Sequence, residues 1–537
     1  MSIAFILIYL LFVLGVFEAV EGRVITVPDN APTIQVGLDS LNNGDTLYIR
    51  RGTYQEILLA PQLQFVIIGE FSPDSGNLGR PLIDVTALQM PDTTPILRLP
   101  SQSNATIESI HFKNVARRGI VSVGLSADLT NCVLDSTNIG IRFVQDNVGA
   151  TITIRDCQFW SNYEHCIGMN RGNSLIAKNC IFAGAGSPFG RALISVGESI
   201  IDSCSFWSEI PIGLLFCYQG PHEITNCTFG PVTAPVSEPV VLLGGGAIEF
   251  RNNSFVDCSF FQHVLSVQST EADSVEVCDN RFSRCDAYDS TFLAQGVLSV
   301  STQGEMQRGA LICGNEFREC FGNSAVDDII LEPGVPSLLE RNSFIRDSIN
   351  GLPSVFAGNP IWQPTPVTLR DNVWENCGYA VELSAAADAR FNYWGHSSGP
   401  YHEIDNPLGL GDTITGPVPF IPWLEDTIEA VEQPLVELVN ELTVQIYPNP
   451  FNSTITIEYA LIREQDVTLE IYDVRTPRRW SSFGEMECRQ LRIRIVLCQA
   501  VNSDQRIPSR QASADEMTRS FKIKVKQPAY LVRAALL

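Results

Sequence analysis

Lysine is nearly missing from this chain: five of 537 residues, and three of the five (Lys522, Lys524 and Lys526) sit close together near the C-terminus. With 36 basic against 60 acidic residues the net charge is −24. That excludes duplex nucleic acid as a partner, because phosphate binding needs clustered cations, and it disfavours anionic surfaces. No C-x-x-C pair exists for zinc. No D-x-[DN]-x-[DN]-G loop exists either, so an acidic surface that can hold Ca²⁺ has no motif to make the site specific. Beyond residue 17 no apolar run is long enough to cross a bilayer, which leaves the mature chain without a membrane span.

Before that point Ile3 to Phe17 is an apolar run of 15, interrupted by Glu18. It is short for a span and suits the core of a signal peptide over residues 1–22, cleaved after Gly22; an uncleaved anchor is the alternative. The expected product is secreted or held at the cell surface. In an exported protein the 15 cysteines first suggest disulfides. At 45% hydrophobic and 18% charged the chain is too long for one core and too apolar for disorder.

The organising signal is a repeat. Leu129-Thr-Asn-Cys-Val-Leu134, Ile154-Arg-Asp-Cys-Gln-Phe159, Ala177-Lys-Asn-Cys-Ile-Phe182, Ile201-Asp-Ser-Cys-Ser-Phe206 and Ile224-Thr-Asn-Cys-Thr-Phe229 share one pattern. It starts at Ile107 to Phe112 and continues to Ala389 to Trp394, with steps of 20 to 35 residues between the closing, mostly aromatic, positions. A step in the low twenties is one coil of three short strands; longer steps are loops inserted at a turn. Two residues before the closing position stands Cys in five coils (Cys132, Cys157, Cys180, Cys204, Cys227) and then Asn in six (Asn253, Asn280, Asn315, Asn342, Asn372, Asn392). Three residues after it Cys returns at Cys258, Cys285, Cys320 and Cys377.

Equal phase becomes a vertical ladder only where parallel coils stack in register, about 4.8 Å apart. The pattern therefore predicts an all-β chain: a right-handed parallel β-helix solenoid over residues 23–424. Stacked Asn side chains satisfy one another and the turn backbone, and Cys fills the same column as a small apolar residue. The column cysteines are thus expected to be buried free thiols, since stacked Cβ atoms lie beyond the usual disulfide separation. Val24-Ile-Thr-Val27 reads as the first strand, and Thr33 to Leu41 has helical spacing suited to capping the open end.

The stretch "TIQVGLDSLNNGDTLYIRRGTYQE…FVIIGE" resembles the opening of proteins with the pectate-lyase-like β-helix fold. "NYWGHSSGP…NPLGLGDTITGPVPFIPWL", Asn392 to Leu424, is similar to the closing segment of many extracellular β-helix repeat proteins. The likeness implies a fold and no single activity. Residues 425–441 read as an acidic linker. From Leu442, "YPNPFN…TITIEYAL…VTLEIYDV" resembles the C-terminal sorting domain of type IX secretion substrates, which implies a small β-sandwich over residues 442–537 and the secretion machinery as a partner. After Val474 the likeness fails. Residues 476–537 carry 12 Lys+Arg against 5 Asp+Glu, as expected of a frame change in the gene near codon 475, or of a genuine basic tail.

Enzymes of this fold work with paired Asp groups, or with Asp clusters, Ca²⁺ and a basic residue. The sequence yields no such constellation and no catalytic, cofactor or metal residue is assigned. Asp327-Asp328 is the most evident carboxylate pair, but neighbours on a strand point to opposite faces. His111, His165, His222, His263, His396 and His402 lack ligand spacing. Trp160 and Trp207 each follow a closing position; they either stack between coils or stack on sugar rings. Two functions stand: a non-catalytic β-helix that binds extracellular polysaccharide or builds the cell surface, and a polysaccharide lyase or hydrolase of the pectin-active type. Two or three carboxylates with an Arg on neighbouring coils favour the enzyme, and aromatics without them favour binding.

Overall fold

The computed structural model describes residues 22–427 apart from short inserts at the turns, and beyond them only the strands between 443 and 536. The expected signal peptide falls on residues 1–21 and most of the expected linker on 428–441, outside the described residues. The chain divides into two compact units, Met1–Ile428 and Glu429–Leu537.

The first unit is a parallel β-helix of three sheets with 15, 15 and 13 strands. Sheet 1 runs from Val24–Val27 to Ala387–Asp388, and sheet 2 from Thr53–Tyr54 to Val373–Glu375. Sheet 3 starts at Leu58–Leu59 and ends on Gly411–Thr415 paired with Pro400–Tyr401. Each coil adds one strand to each sheet, parallel and in register with the coil before: Ala127 on Ile152 on Leu175, Leu134 on Phe159 on Phe182. Alternation in sheet 1 buries every second residue, which is why Ile107, Leu129, Ile154 and their equivalents are apolar. The predicted cap is a shorter helix, Ile34–Asp39, with the Thr33 side chain accepting from the Val36 N–H. It ends two residues earlier than the spacing suggests, where the Ser40 and Leu41 N–H groups turn to Gly37 O and Leu38 O and the Ser40 hydroxyl donates back to Val36 O.

Between sheets 1 and 2 the chain turns on one residue in the left-handed region: Asn131, Asp156, Asn179, Ser203, Asn226, Asn252 and Asp279, all at φ 53–58°. Asn and Asp tolerate that conformation best. The next residue is the Cys/Asn column. Asn280 Oδ1 accepts from the Asn253 N–H at 2.9 Å and from Asn253 Nδ2 at 3.1 Å, while Asn253 Nδ2 also donates to Ile224 O at 2.9 Å. The scheme repeats through Asn315, Asn342, Asn372 and Asn392. Cysteine follows the same plan with weaker bonds: Cys157 Sγ lies 3.4 Å from the Cys132 N–H and donates to Arg155 O at 3.2 Å. At the change of residue Asn253 Oδ1 takes the Cys227 N–H at 2.8 Å. The closing aromatics stack in a row from Phe159 to Trp394, with successive ring centroids 4.6–5.2 Å apart.

The nine column cysteines are buried free thiols, as expected. Outside those columns one pair departs from the expectation of free thiols: Cys278 and Cys313, partners in sheet 1, form a disulfide across 35 residues of chain. In-register residues on adjacent strands of sheet 1 here stand at a Cα–Cα distance of 4.5 Å, inside the range a disulfide spans, so stacking alone does not forbid the bond.

In the second unit the described residues are strands. Thr454–Ala460 pairs antiparallel with Thr443–Tyr447 and with Thr518–Lys524, and Val467–Asp473 pairs with Arg479–Trp480 and Leu491–Leu497.

Candidate functional site

In sheet 2 the middle residue of each short strand, usually aromatic, is buried, and the residue after it usually faces outward. The residue after the aromatic position builds an outward column: Lys113, Asp135, Trp160, Ala183, Trp207, one coil apart from the next. Both tryptophans are half-buried. Their rings meet edge to face over the small Ala183, with centroids 6.0 Å apart and planes at 68°. The Trp160 indole N–H donates to Gln158 Oε1 at 3.1 Å, which fixes that ring. Stacking between coils is therefore what the two rings do, and both keep part of their surface open to solvent. Above Trp160, Asp135 Oδ1 accepts from the Ser136 hydroxyl at 2.7 Å, and His111 Nε2 stands 3.7 Å from Asp135 Oδ2. His111 first, then the Ser136 hydroxyl, holds the Asp135 carboxyl below the usual carboxylate range against the opposing effect of burial.

Sheet 1 carries the carboxylate row that the sequence reading missed. Glu223, Glu249 and Glu276 are register partners on three successive strands, so their backbones lie about 4.8 Å apart per step. Arg251, on the strand of Glu249, pairs with Glu249 at 2.9 Å and with Glu276. The signal was present: all three stand six residues before the closing aromatics Phe229, Phe255 and Phe282. The Cys278–Cys313 disulfide continues the outward column of Arg251.

The remaining candidates are structural. Asp328 is buried and ion-paired with the equally buried Arg346, whose Nη1 donates to Ser354 Oγ at 2.6 Å and Nε to Cys320 O at 3.1 Å; Asp327 lies outside the described residues. Nearby Asp412 accepts from the N–H groups of Cys377 at 3.0 Å and Gly378 at 2.7 Å, and burial raises its carboxyl above the ordinary value. His222 and His263 bond to the carbonyls of Gly244 and Gly296, and burial lowers both. His165 Nδ1 accepts from the Arg191 N–H. His396 bonds to Ser398, and His402 accepts from the Asp405 N–H, inside the closing segment. Among the described residues no group of three His, Cys, Asp or Glu is placed to hold a metal ion, and no helix is long and apolar enough to cross a membrane.

No protein-family model and no curated protein matches the chain. Among solved structures it is similar to a Family 28 exopolygalacturonase of Yersinia enterocolitica, at 13% identity and a TM-score of 0.23, covering 75% of this chain and 77% of that one. It is also similar to the tailspike protein gp49 of Acinetobacter baumannii bacteriophage Fri1, a capsular polysaccharide depolymerase, at 11% identity and a TM-score of 0.21, covering 85% and 69%. Function has to come from this chain's own residues.

Proposed function

We propose that the protein is an exported β-helix that binds extracellular polysaccharide on the outer face of sheet 2 without cleaving it. The Trp160–Trp207 pair carries the reading. Two half-open indoles, one pinned by Gln158, beside a carboxylate and an ammonium group, combine the apolar surface and the polar handles that sugar rings require. Export by the N-terminal signal, and sorting or surface anchoring through the type IX-like module from Leu442, complete the proposal.

Glu223, Glu249, Glu276 and Arg251 favour a second reading, a lyase or hydrolase of the pectin-active type. It ranks second for a physical reason. Arg251 engages two of the three carboxylates, and Glu223 and Glu249 are exposed, whereas a carboxyl kept as a proton donor at neutral pH is a desolvated one. A polysaccharide panel, with and without Ca²⁺, scored for binding and for product release, tests both. Binding that is lost in Trp160→Ala, without product, supports the first reading. Release of unsaturated or reducing ends that Glu249→Gln abolishes overturns it in favour of the second.

A further inference from the structure

We infer that the sheet 2 face carries a built subsite for one neutral pyranose, in which the Asp135 carboxylate takes sugar hydroxyls while the ring rests on Trp160. This deepens the polysaccharide-binding reading and rests on it.

Register places Asp135 directly between Lys113 and Trp160, one coil or about 4.8 Å from each, so a cation, an anion and an aromatic follow one another along the solenoid axis. The carboxylate is only partly used. Oδ1 holds the Ser136 hydroxyl at 2.7 Å, but Oδ2 has His111 Nε2 no nearer than 3.7 Å, outside hydrogen-bond range. His111 is 7% exposed, and neither of its ring nitrogens has a partner among the described residues. His111 thus backs Asp135 from the buried side and leaves the outer lone pairs of Oδ2 open. Lys113 has no ion pair among the described residues. A ligand hydroxyl donating to the partly exposed Asp135 Oδ2 would complete the carboxylate, and Lys113 would donate to the next oxygen.

The ligand has to be a hydrogen-bond donor to Asp135, which favours hydroxyls and rejects carboxylates: a uronate would set two anions against each other on a protein already at −24. Trp160 adds a surface for the C–H face of the ring. A site that leaves buried polar groups unpaired without its ligand discriminates strongly against analogues lacking the matching group.

The test uses the full chain, with neutral galactomannan and xylan as probes and polygalacturonate as the acidic counterpart, followed by tryptophan fluorescence and affinity electrophoresis. The expected result is binding of a neutral glycan, with Asp135→Asn and Lys113→Ala each weakening it about tenfold or more, the loss of one charge-assisted hydrogen bond. The half-exposed Lys113 keeps the test open if Asp135→Asn alters folding. Binding that Trp160→Ala removes but Asp135→Asn and Lys113→Ala leave intact overturns the subsite and spares the binding face. Equal or better binding of polygalacturonate does the same. No binding of any glycan, or binding insensitive to Trp160→Ala, overturns the binding face itself.

Discussion

Replacing Asn315 at the middle of the asparagine column puts the ladder to a direct test. Its side chain makes four bonds: Oδ1 accepts from Asn280 N at 3.0 Å and Asn280 Nδ2 at 2.9 Å, and Nδ2 donates to Val277 O at 2.8 Å and Asn342 Oδ1 at 3.0 Å. Asn280 Nδ2 keeps Phe250 O, and Asn342 Oδ1 keeps the Asn315 N–H. The Asn280 backbone N–H loses its acceptor in a buried site. One orphaned donor costs about 1–3 kcal/mol and each of three further lost bonds about 0.5–1.5, so Asn315→Val is expected to lose about 2.5–7.5 kcal/mol. Asn315→Cys is expected to lose about half of that, because Cys157 shows that sulfur at this position still receives the N–H of the previous coil and donates to a carbonyl. Urea midpoints by far-UV circular dichroism rank wild type, Cys and Val, and midpoints are the right measure because a long solenoid need not unfold in one step. Equal midpoints for Cys and Val, or a Val variant as stable as wild type, would refute the claim that both residue types serve one hydrogen-bonding plan.

Three more outcomes are expected. Replacing both Cys278 and Cys313 by Ser should cost about 3–4 kcal/mol for a cross-link spanning 35 residues; reductant should lower wild type to the level of the variant, while native alkylation leaves the buried column thiols unlabelled. Arg346→Met alone should cost about 3–5 kcal/mol by stranding the Asp328 carboxylate, and Arg346→Met with Asp328→Leu should recover most of it, as thermal midpoints will show. Asp412 binds its proton more tightly folded than unfolded, so the stability it contributes is greatest at low pH and falls as pH rises from the ordinary carboxylate value through the raised one; the difference between wild type and Asp412→Asn should follow that window, and a pH-independent difference counts against it.

The fold was legible because stacking converts phase into space. The Cys and Asn columns and the aromatic row are visible as residues at fixed offsets from Phe182, Phe206 or Phe229, and the N-terminal cap as the helical spacing of Thr33 to Leu41. The carboxylate row and the disulfide obey the same arithmetic, with Cys278 and Cys313 four residues before Phe282 and Phe317. They do not stand out because outward positions face solvent and tolerate many residue types, whereas the packed interior forces repetition at inward ones. Asp135 with His111 was not legible at all. One follows its aromatic-column residue and the other precedes it, and they meet only because side chains lean across neighbouring coils. Arg346 is hidden for another reason: it comes two residues after Phe344, where neighbouring coils carry their cysteine at three, and its partners Asp328 and Cys320 come from the preceding coil while Ser354 lies further along its own.

The row of aromatic rings has an optical consequence. Eight phenylalanines from Phe159 to Phe344 lie ring on ring and end on Trp374 and Trp394, themselves stacked at 4.6 Å and fully buried. Light absorbed along the interior has an indole pair as its terminal acceptor at the C-terminal end, while Trp160 and Trp207 report from the surface. Within this part of the solenoid, the buried pair answers to the integrity of the last coils and the outer pair to whatever settles on the sheet 2 face.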